Sequence, residues 1–543
     1  MKNLSMLILL LCMGIACSKI EENSSGIQKK PIEVDEKIRN TTSYNVLPNP
    51  YTLANMQAVY DSLSISRVTL QPTDYYVRFL PQDSLQLHNL MYGYNLELFS
   101  YPLDMEIEEG EVYEDPTIPE GSFGWYYTTV KPNFVFPSNI TCEILDRCYI
   151  PTDYETIPNT RSSGLLNLEN AAFEKLGYIL EPKTRAGEKQ TGRIRVFDHS
   201  LDPKQYVPVQ GVKIRCHTLI KWATAYTDEN GNYTMNGNFS IDPLYAIVFD
   251  NKKGFDIWDG WIHIQKATYL MGFHSKHGYS KDIPAGGKEW RWAAVNNAGY
   301  EYYKMCEATG ITKPPSNLKI WVLNDIESSA AAMLSHLNHT VAFNGNSFWI
   351  NLLVNSTGGV IVNTLLPLFH DLLLDIAVGT KDRSYKRIYT ATQHELSHAS
   401  HFCEVGGDFW AKYVSYIITY GSYGDGKGKN AEICGIGEMW GYAMEHIYEC
   451  EKYYPHRLDS LYSANWNNPN WFKPEIYWDL YRNNILTKKQ IFDCLSRDVD
   501  TYDKLVDKMH TLYPDQAHVI DTTFNFYGIV PKTNKRSRQD SNL

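Results

Sequence analysis

Tyr385-Lys386-Arg387-Ile388-Tyr389-Thr390-Ala391-Thr392-Gln393-His394-Glu395-Leu396-Ser397-His398-Ala399-Ser400-His401-Phe402-Cys403, followed by Gly406-Gly407, is the stretch on which the reading of the chain turns. It predicts one helix, stopped by the two glycines. Inside it stands His394-Glu395-Leu396-Ser397-His398. Two histidines four apart share a helical face about one turn from each other, so both imidazoles can reach one metal ion, while Glu395 points beside them at the water such an ion holds. This H-E-x-x-H spacing is a zinc signature; it makes Zn2+ the expected cofactor, His394 and His398 its ligands and Glu395 the general base.

A zinc ion that keeps a catalytic water takes three protein ligands. His401 is nearest, but seven residues along a regular helix is about 10.5 Å of axis, too far for His394 and His401 to share an ion at about 2.1 Å. It reads instead as a neighbour of the site or a surface histidine. A carboxylate from a later helix is the remaining route, and Asn430 to His446 supplies one, with Met439, Ala443 and Ile447 recurring at helical spacing. Glu438 is chosen because Gly437 and Gly441 flank it. Each glycine inside a helix costs about 1 kcal/mol, which close packing against the first helix would offset. Glu432 and Glu445 are the alternatives.

In His394, Glu395, His398 and Glu438 the chain resembles the gluzincin class of metallopeptidases, in which H-E-x-x-H and a downstream glutamate hold zinc. The resemblance implies zinc-dependent hydrolysis of a protein or peptide substrate in a mainly helical, zincin-like α+β catalytic domain over residues 252–531. Tyr442 stands where thermolysin-like members place an aspartate that orients a histidine. The class also offers a Tyr or His to the oxyanion, for which Tyr416, Tyr420, Tyr423, Tyr442 and His446 are candidates. The metzincin pattern needs Gly at 401 and His at 404, where this chain has His401 and Glu404. An upstream strand, Phe348 to Val354 or Leu372 to Val378, is expected to pair with the substrate backbone. Two readings compete: an exported protein that captures peptide or glycan, with a structural or vestigial zinc site, and an amidase acting on a non-peptide substrate.

Outward from the helix the chain divides into segments. Within 252–531, Gly299 to Cys306 reads as helix, Leu318 to Val322 as strand, and Gly358 to Leu374 as a buried helix carrying the pair His370-Asp371. Over 186–251, the runs Arg193 to Phe197, Val212 to Cys216, Trp222 to Tyr226 and Tyr245 to Phe249 are β-rich and bounded by turn residues, with Asn230-Gly231 at a hairpin reversal. The order Val207 to Lys213, Thr227 to Tyr233 and Phe249-Asp250 resembles the carboxypeptidase-regulatory-like, transthyretin-like β-sandwich, which implies a non-catalytic accessory domain. Residues 47–185 read as an α+β domain with strands at Tyr75 to Leu80 and Leu96 to Phe99 and a helix after Gln82. Its acidic run from Glu106 to Asp115 reads as a solvated loop, and the tail 532–543 as frayed. The fold class expected is therefore multidomain: an N-terminal α+β domain, a small β-sandwich and a helical catalytic domain.

The N-terminus places an apolar run, Leu4 to Met13, ahead of Gly14-Ile15-Ala16-Cys17. Residues 1–17 read as a signal peptide whose end resembles the lipobox of bacterial lipoproteins. That implies lipidation of Cys17, a tether over 18–46 and attachment to the outer membrane of a bacterial cell envelope. No later segment is apolar enough for a transmembrane helix. Among the eight other cysteines left after Cys12 is cleaved off, Cys142 and Cys148 are the nearest pair for a disulfide. His274 and His277, beside Gly272 and Gly278, read as loop residues rather than a second metal site. With 62 Asp+Glu against 51 Lys+Arg, the net charge of −11 argues against a nucleic-acid partner. Aromatics make up 13% of the 543 residues, 39 of them Tyr, which suits core packing and also peptide or sugar platforms. Nothing in the sequence sets an oligomeric state.

Overall fold

The computed structural model describes residues 45–529 apart from 64–67, 114, 116, 119–122, 152–155, 159–164, 181–188, 260–264, 326, 332, 334–335, 337–374, 421–422 and 459–470. Cys17 with the expected signal peptide, the strand at 348–354, the stretch 358–374 with His370-Asp371, and the tail 532–543 lie outside the described residues.

The N-terminal part contains α1 (Leu53–Leu63), β1 (Asp74–Leu80), α2 (Ser84–His88), β2 (Tyr126–Val130), β3 (Thr141–Cys148), β4 (Thr156–Pro158), β5 (Leu165–Asn167) and α3 (Leu168–Lys175). β1 is the middle of an antiparallel sheet ordered β2-β1-β3. Asp83 starts α2 by accepting the Gln86 N–H at 2.8 Å, as an N-cap should. The expected strand at Leu96 to Phe99 is a single bridge between Phe99 and Tyr127. Its polar groups find partners outside a ladder: the Leu98 carbonyl accepts from Arg215 at 2.8 Å, and Glu97 pairs with the same guanidinium at 3.0 Å. Cys142 and Cys148 are both free thiols. They stand six residues apart on the extended β3, roughly 20 Å of strand, far beyond the ~7 Å Cα separation a disulfide can span.

Next come β6 (Gln190–Asp198), β7 (Gln205–Pro208), β8 (Val212–Thr218), β9 (Lys221–Tyr226), β10 (Asn232–Met235), β11 (Leu244–Asn251), β12 (Phe255–Asp259), β13 (Gln265–Lys266), β14 (Thr268–Phe273) and β15 (Lys281–Ile283). β6 pairs with β7, β10 and β15 in a small sheet. β8, β9 and β11 belong to a larger one, and Ile194 and Val196 of the small sheet share a core with Ile214 and Ile247 of the large one, which makes the pair sandwich-like. The turn at Asp228 to Asn232 forms, with Gly231 at φ +77°, but β9 pairs with β8 while β10 pairs with β6. It carries the chain from one sheet to the other and closes no hairpin.

The large sheet does not stop at residue 251. After α4 (Lys288–Thr309) come β16 (Leu318–Leu323), β17 (Ala330–Ala331) and β18 (Ile376–Gly379), and β12, β16 and β18 run parallel. The full order is β17-β18-β16-β12-β11-β8-β9, with β13 on β12 and β14 on β11. β18 lies between β16 and β17, with Ala377 opposite both Trp321 and Ala330. Ile376 and Ala377 are therefore paired on both edges, which corrects the expectation of a free edge for substrate over the described part of Leu372 to Val378; residues 372–374 lie outside the described residues. Alternation sorts the faces of the sheet. Val212, Ile214 and Cys216 of β8 join the core under the helices, whereas Leu244, Ala246 and Leu270 on the opposite face pack against Phe99, Tyr101 and Leu103 of the N-terminal part.

The C-terminal region is helical: α5 (Tyr385–Val405), α6 (Gly407–Tyr420), α7 (Ala431–Tyr453), α8 (Glu475–Arg482), α9 (Lys488–Phe492), α10 (Tyr502–Leu512) and α11 (Ala517–Phe526). Ser384 caps α5 by accepting the Arg387 N–H at 3.3 Å, and Gly406, at φ +78°, ends it. α5 packs against both α4 and α7. Gln393 donates to the Ala298 carbonyl at 3.0 Å and Tyr302 to Ser400 at 3.0 Å, which satisfies polar groups on a helix buried on nearly all sides. The molecule is thus multidomain, with mixed helices and strands at the N-terminus, sandwich-like sheets in the middle and a helical C-terminal region. No helix among the described residues is long and apolar enough to cross a membrane.

Candidate metal centre

His394 and His398 sit one turn apart on the face of α5 that meets α7, and both are about 1% exposed. Their Nε2 atoms approach to 3.0 Å. Glu438, on α7 and fully buried, completes a triangle: its Oε2 lies 3.6 Å from His394 Nε2 and its Oε1 3.7 Å from His398 Nε2. One potential ligand atom from each of the three lies within 4.8 Å of the other two, and no other such group occurs among the described residues. Ligands at about 2.1 Å in a tetrahedral array stand roughly 3.4 Å from one another, so the three spacings suit a metal ion. Glu438 Oε2 is buried with no hydrogen bond in the structure, as an atom reserved for a metal would be.

Glycine makes the approach of α7 possible. A Cβ at Gly441 would lie 2.8 Å from His394 Nε2 and 2.9 Å from His398 Nε2, inside the space of the ligand atoms themselves. One at Gly437 would meet the Tyr413 ring at 3.0 Å. The helix gives up propensity at both positions so that its backbone can bring Glu438 up to the histidines.

Neighbouring groups orient the three. His394 Nδ1 meets Glu445 Oε2 at 3.2 Å, which turns Nε2 toward the centre. Glu445 is itself held by Arg387 at 3.0 Å and Thr390 at 3.4 Å. Burial works against its charge, but the Arg387 guanidinium, His394 and Arg383 outweigh burial and hold its carboxyl at about 2. Tyr413 of α6 donates a short hydrogen bond to Glu438 Oε1, and its hydroxyl lies 3.5 Å from His398 Nε2. Burial, reinforced by the neighbouring His394 and His401, pushes His398 well below the usual histidine range, so its imidazole is neutral, as a ligand must be. Glu395 is about 1% exposed and follows His394 directly.

The other sequence candidates fall elsewhere. Glu432 Oε2 accepts the Tyr502 N–H at 2.6 Å and ties α7 to α10. Glu445 serves His394 from its far side. His401 is no surface residue: it is about 1% exposed, against Phe409 and Trp410, and burial lowers it to about 4. Among the oxyanion candidates, Tyr442 sets its ring edge-on to His394 at 4.7 Å and shares a hydrogen bond with Tyr423 at 2.9 Å. Tyr416 accepts the Gly426 N–H at 3.1 Å, and Tyr420 is 44% exposed beside it. His446 faces Cys450, Glu449 and Trp478, away from the histidine pair. His274 stacks on Tyr279 and bonds the Met271 carbonyl at 2.7 Å, as a loop residue. Sequence reasoning missed Tyr413 outright. The one signal was its place midway along the helix that follows Gly406-Gly407, which runs back beside α5. No family model matches the chain, and no curated protein matches it.

Proposed function

We propose that this protein is an exported zinc-dependent metallopeptidase, gluzincin-like in its ligand set. What supports the reading is the buried convergence of His394, His398 and Glu438 with Glu395 adjoining them on the same helix. The two imidazoles and the Glu438 carboxylate would hold Zn2+. When bound, such an ion lowers the pKa of a water it holds and polarises a carbonyl. Glu395 takes the proton of the attacking water and delivers it to the departing amine. Glu445 keeps the His394 ring in register from behind, and the Tyr413 hydroxyl occupies one Glu438 oxygen so that the other faces the centre. In this reading the helical region with β16 to β18 is the zincin-like catalytic domain, and the sandwich-like sheets are an accessory domain. Acylation of Cys17 anchors the chain to the outer membrane of the cell envelope.

The test is hydrolysis of a proteome-derived peptide library by wild type and by Glu395→Gln, each with and without a chelator. Wild-type cleavage is lost with chelator and restored by zinc, while Glu395→Gln binds wild-type amounts of zinc and cleaves nothing. Equal turnover by the variant eliminates the assignment. Cleavage of non-peptide amides alone transfers the chemistry to an amidase.

A further inference from the structure

A second site lies on the face of the large sheet turned away from α4 and α5. There the N-terminal part and the sheet enclose a cavity of about 450 Å³, lined by residues 87–100 on one side and by β8, β9, β11, β12 and the β13–β14 region on the other. Its floor follows from strand alternation. Ala223 and Ala225 of β9 pack toward the core, so Trp222, Thr224 and Tyr226 point the other way; likewise Ile214 faces the core, and Lys213 and Arg215 face the cavity.

The composition of this floor is not that of a packed interface. Lys213, Arg215 and Lys266 line the cavity together with Glu97 and Asp250, and Asp256, buried just behind the lining, joins them in one lattice. Lys213 reaches Glu97 at 3.3 Å and Asp250 at 2.8 Å, and Lys266 reaches Asp250 and Asp256 at 3.1 Å each. Arg215, about 3% exposed, pairs with Glu97 at 3.0 Å. Buried ion pairs stabilise a fold less than apolar packing of the same volume, so a six-charge lattice here is poorly explained as adhesive. Around it stand aromatic rings, of which Trp222 and Tyr226 are 36% and 40% exposed.

We infer that this cavity binds a neutral saccharide. The three cations face Glu97 and Asp250 on the lining and Asp256 behind it, so neither a phosphate nor an ammonium is strongly favoured, while carboxylates and ammonium groups side by side offer sugar hydroxyls acceptors and donors. The lattice holds these groups in fixed positions, which lowers the ordering cost of binding. Trp222 and Tyr226, two positions on one face of β9, give flat apolar surfaces for the C–H face of a sugar ring. The volume suits one or two sugar units. The metal ligands lie on the other side of the sheet, so the inference does not depend on the peptidase reading.

Saturation-transfer NMR on the full chain tests it, with N-acetylglucosamine, galactose and maltose as probes and inorganic phosphate and diglycine as comparators. At least one sugar receives transfer from aromatic protons and the comparators do not. Trp222→Ala and Tyr226→Ala, both on partly exposed positions, each weaken that binding roughly tenfold or more with unchanged circular dichroism. Glu395→Gln and chelator leave it unchanged, which separates this site from the metal centre. No transfer to any sugar, transfer to phosphate or diglycine instead, or sugar binding undiminished in both folded aromatic variants overturns the inference.

Discussion

Gly441→Ala tests the approach of α7 to the histidine pair more sharply than removal of a ligand does. The added methyl group would lie 2.8 Å from His394 Nε2, 2.9 Å from His398 Nε2 and 3.0 Å from His394 Cε1. Ordinary contact needs about 3.5–4.0 Å, so the rings or the helix must give way by roughly 0.7–1 Å. A zinc site tolerates ligand displacements of about 0.2 Å. The variant therefore cannot keep both imidazoles and Glu438 in bonding range, and a loss of about 2–3 kcal/mol, roughly 30- to 150-fold in zinc affinity, is expected. The metal-free fold responds differently. Overpacking costs about 1–3 kcal/mol, but alanine gains about 1 kcal/mol over glycine inside a helix, so net stability falls by at most about 2 kcal/mol. Zinc affinity is measured by competition with a chromophoric chelator, and stability by urea unfolding of the metal-free protein. Wild-type zinc affinity in Gly441→Ala would refute the placement of Glu438 as a ligand beside the two histidines.

Glu445→Gln removes the charge behind His394 Nδ1 and is expected to weaken zinc binding about 10- to 100-fold in the same competition assay; an unchanged affinity denies Glu445 an orienting role. Tyr413→Phe leaves a Glu438 oxygen without its donor and is expected to lower zinc affinity about tenfold while far-ultraviolet circular dichroism stays the same; tighter binding would show that the hydroxyl competes with the metal. His217, between the Tyr101 hydroxyl at 3.1 Å and the Leu219 carbonyl at 3.0 Å, is lowered to about 3, by burial first and then by the Arg215 charge. An unfolded chain protonates this histidine near pH 6.5 and the folded one does not, so its contribution is full above pH 6.5 and is lost at about 1.4 kcal/mol per pH unit as pH falls toward 3. Urea midpoints at pH 7 and pH 4.5 check this: His217→Gln should lose less stability on acidification than wild type by about 2–3 kcal/mol, and equal losses count against it.

The candidate metal centre, the convergence of His394, His398 and Glu438, was largely legible because its rule is local. The four-position step from His394 to His398 fixes a shared helical face whatever surrounds it. Glu438 could be singled out from Glu432 and Glu445 because Gly437 and Gly441 signal a backbone that something approaches closely, and the His394 and His398 rings are what approaches Gly441. Tyr413 and the true role of Glu445 were not legible, since neither is set by spacing within one helix. Tyr413 depends on how α6 folds back, and Glu445 on Arg387 reaching across from the first turn of α5. The continuity of the sheet past residue 251 was hidden for a similar reason. β12 pairs in parallel with β16 across the whole of α4, and such partners are not announced by turn residues.

Periodicity tells which side chains share a face, but not whether that face meets water, and both sites turn on the difference. Lys213-Ile214-Arg215 alternates like a strand with one solvated side, yet the N-terminal part covers that side and leaves Arg215 about 3% exposed. α5 poses the same problem. Thr392, Gln393, Ser397 and Ser400 would suit a solvated helix, but all four are fully buried, each bonded to a carbonyl or hydroxyl on α4 or on α5 itself. The two that cross to α4, from Gln393 to the Ala298 carbonyl and from Tyr302 to Ser400, leave α5 little freedom to turn about its axis, because rotation would break polar contacts in a medium where each costs about 1–3 kcal/mol to lose. Gln393 and Ser400, polar residues that obscure the burial of this helix in the sequence, thus hold His394 and His398 toward α7, and a metal centre needs that rigidity more than it needs an apolar face.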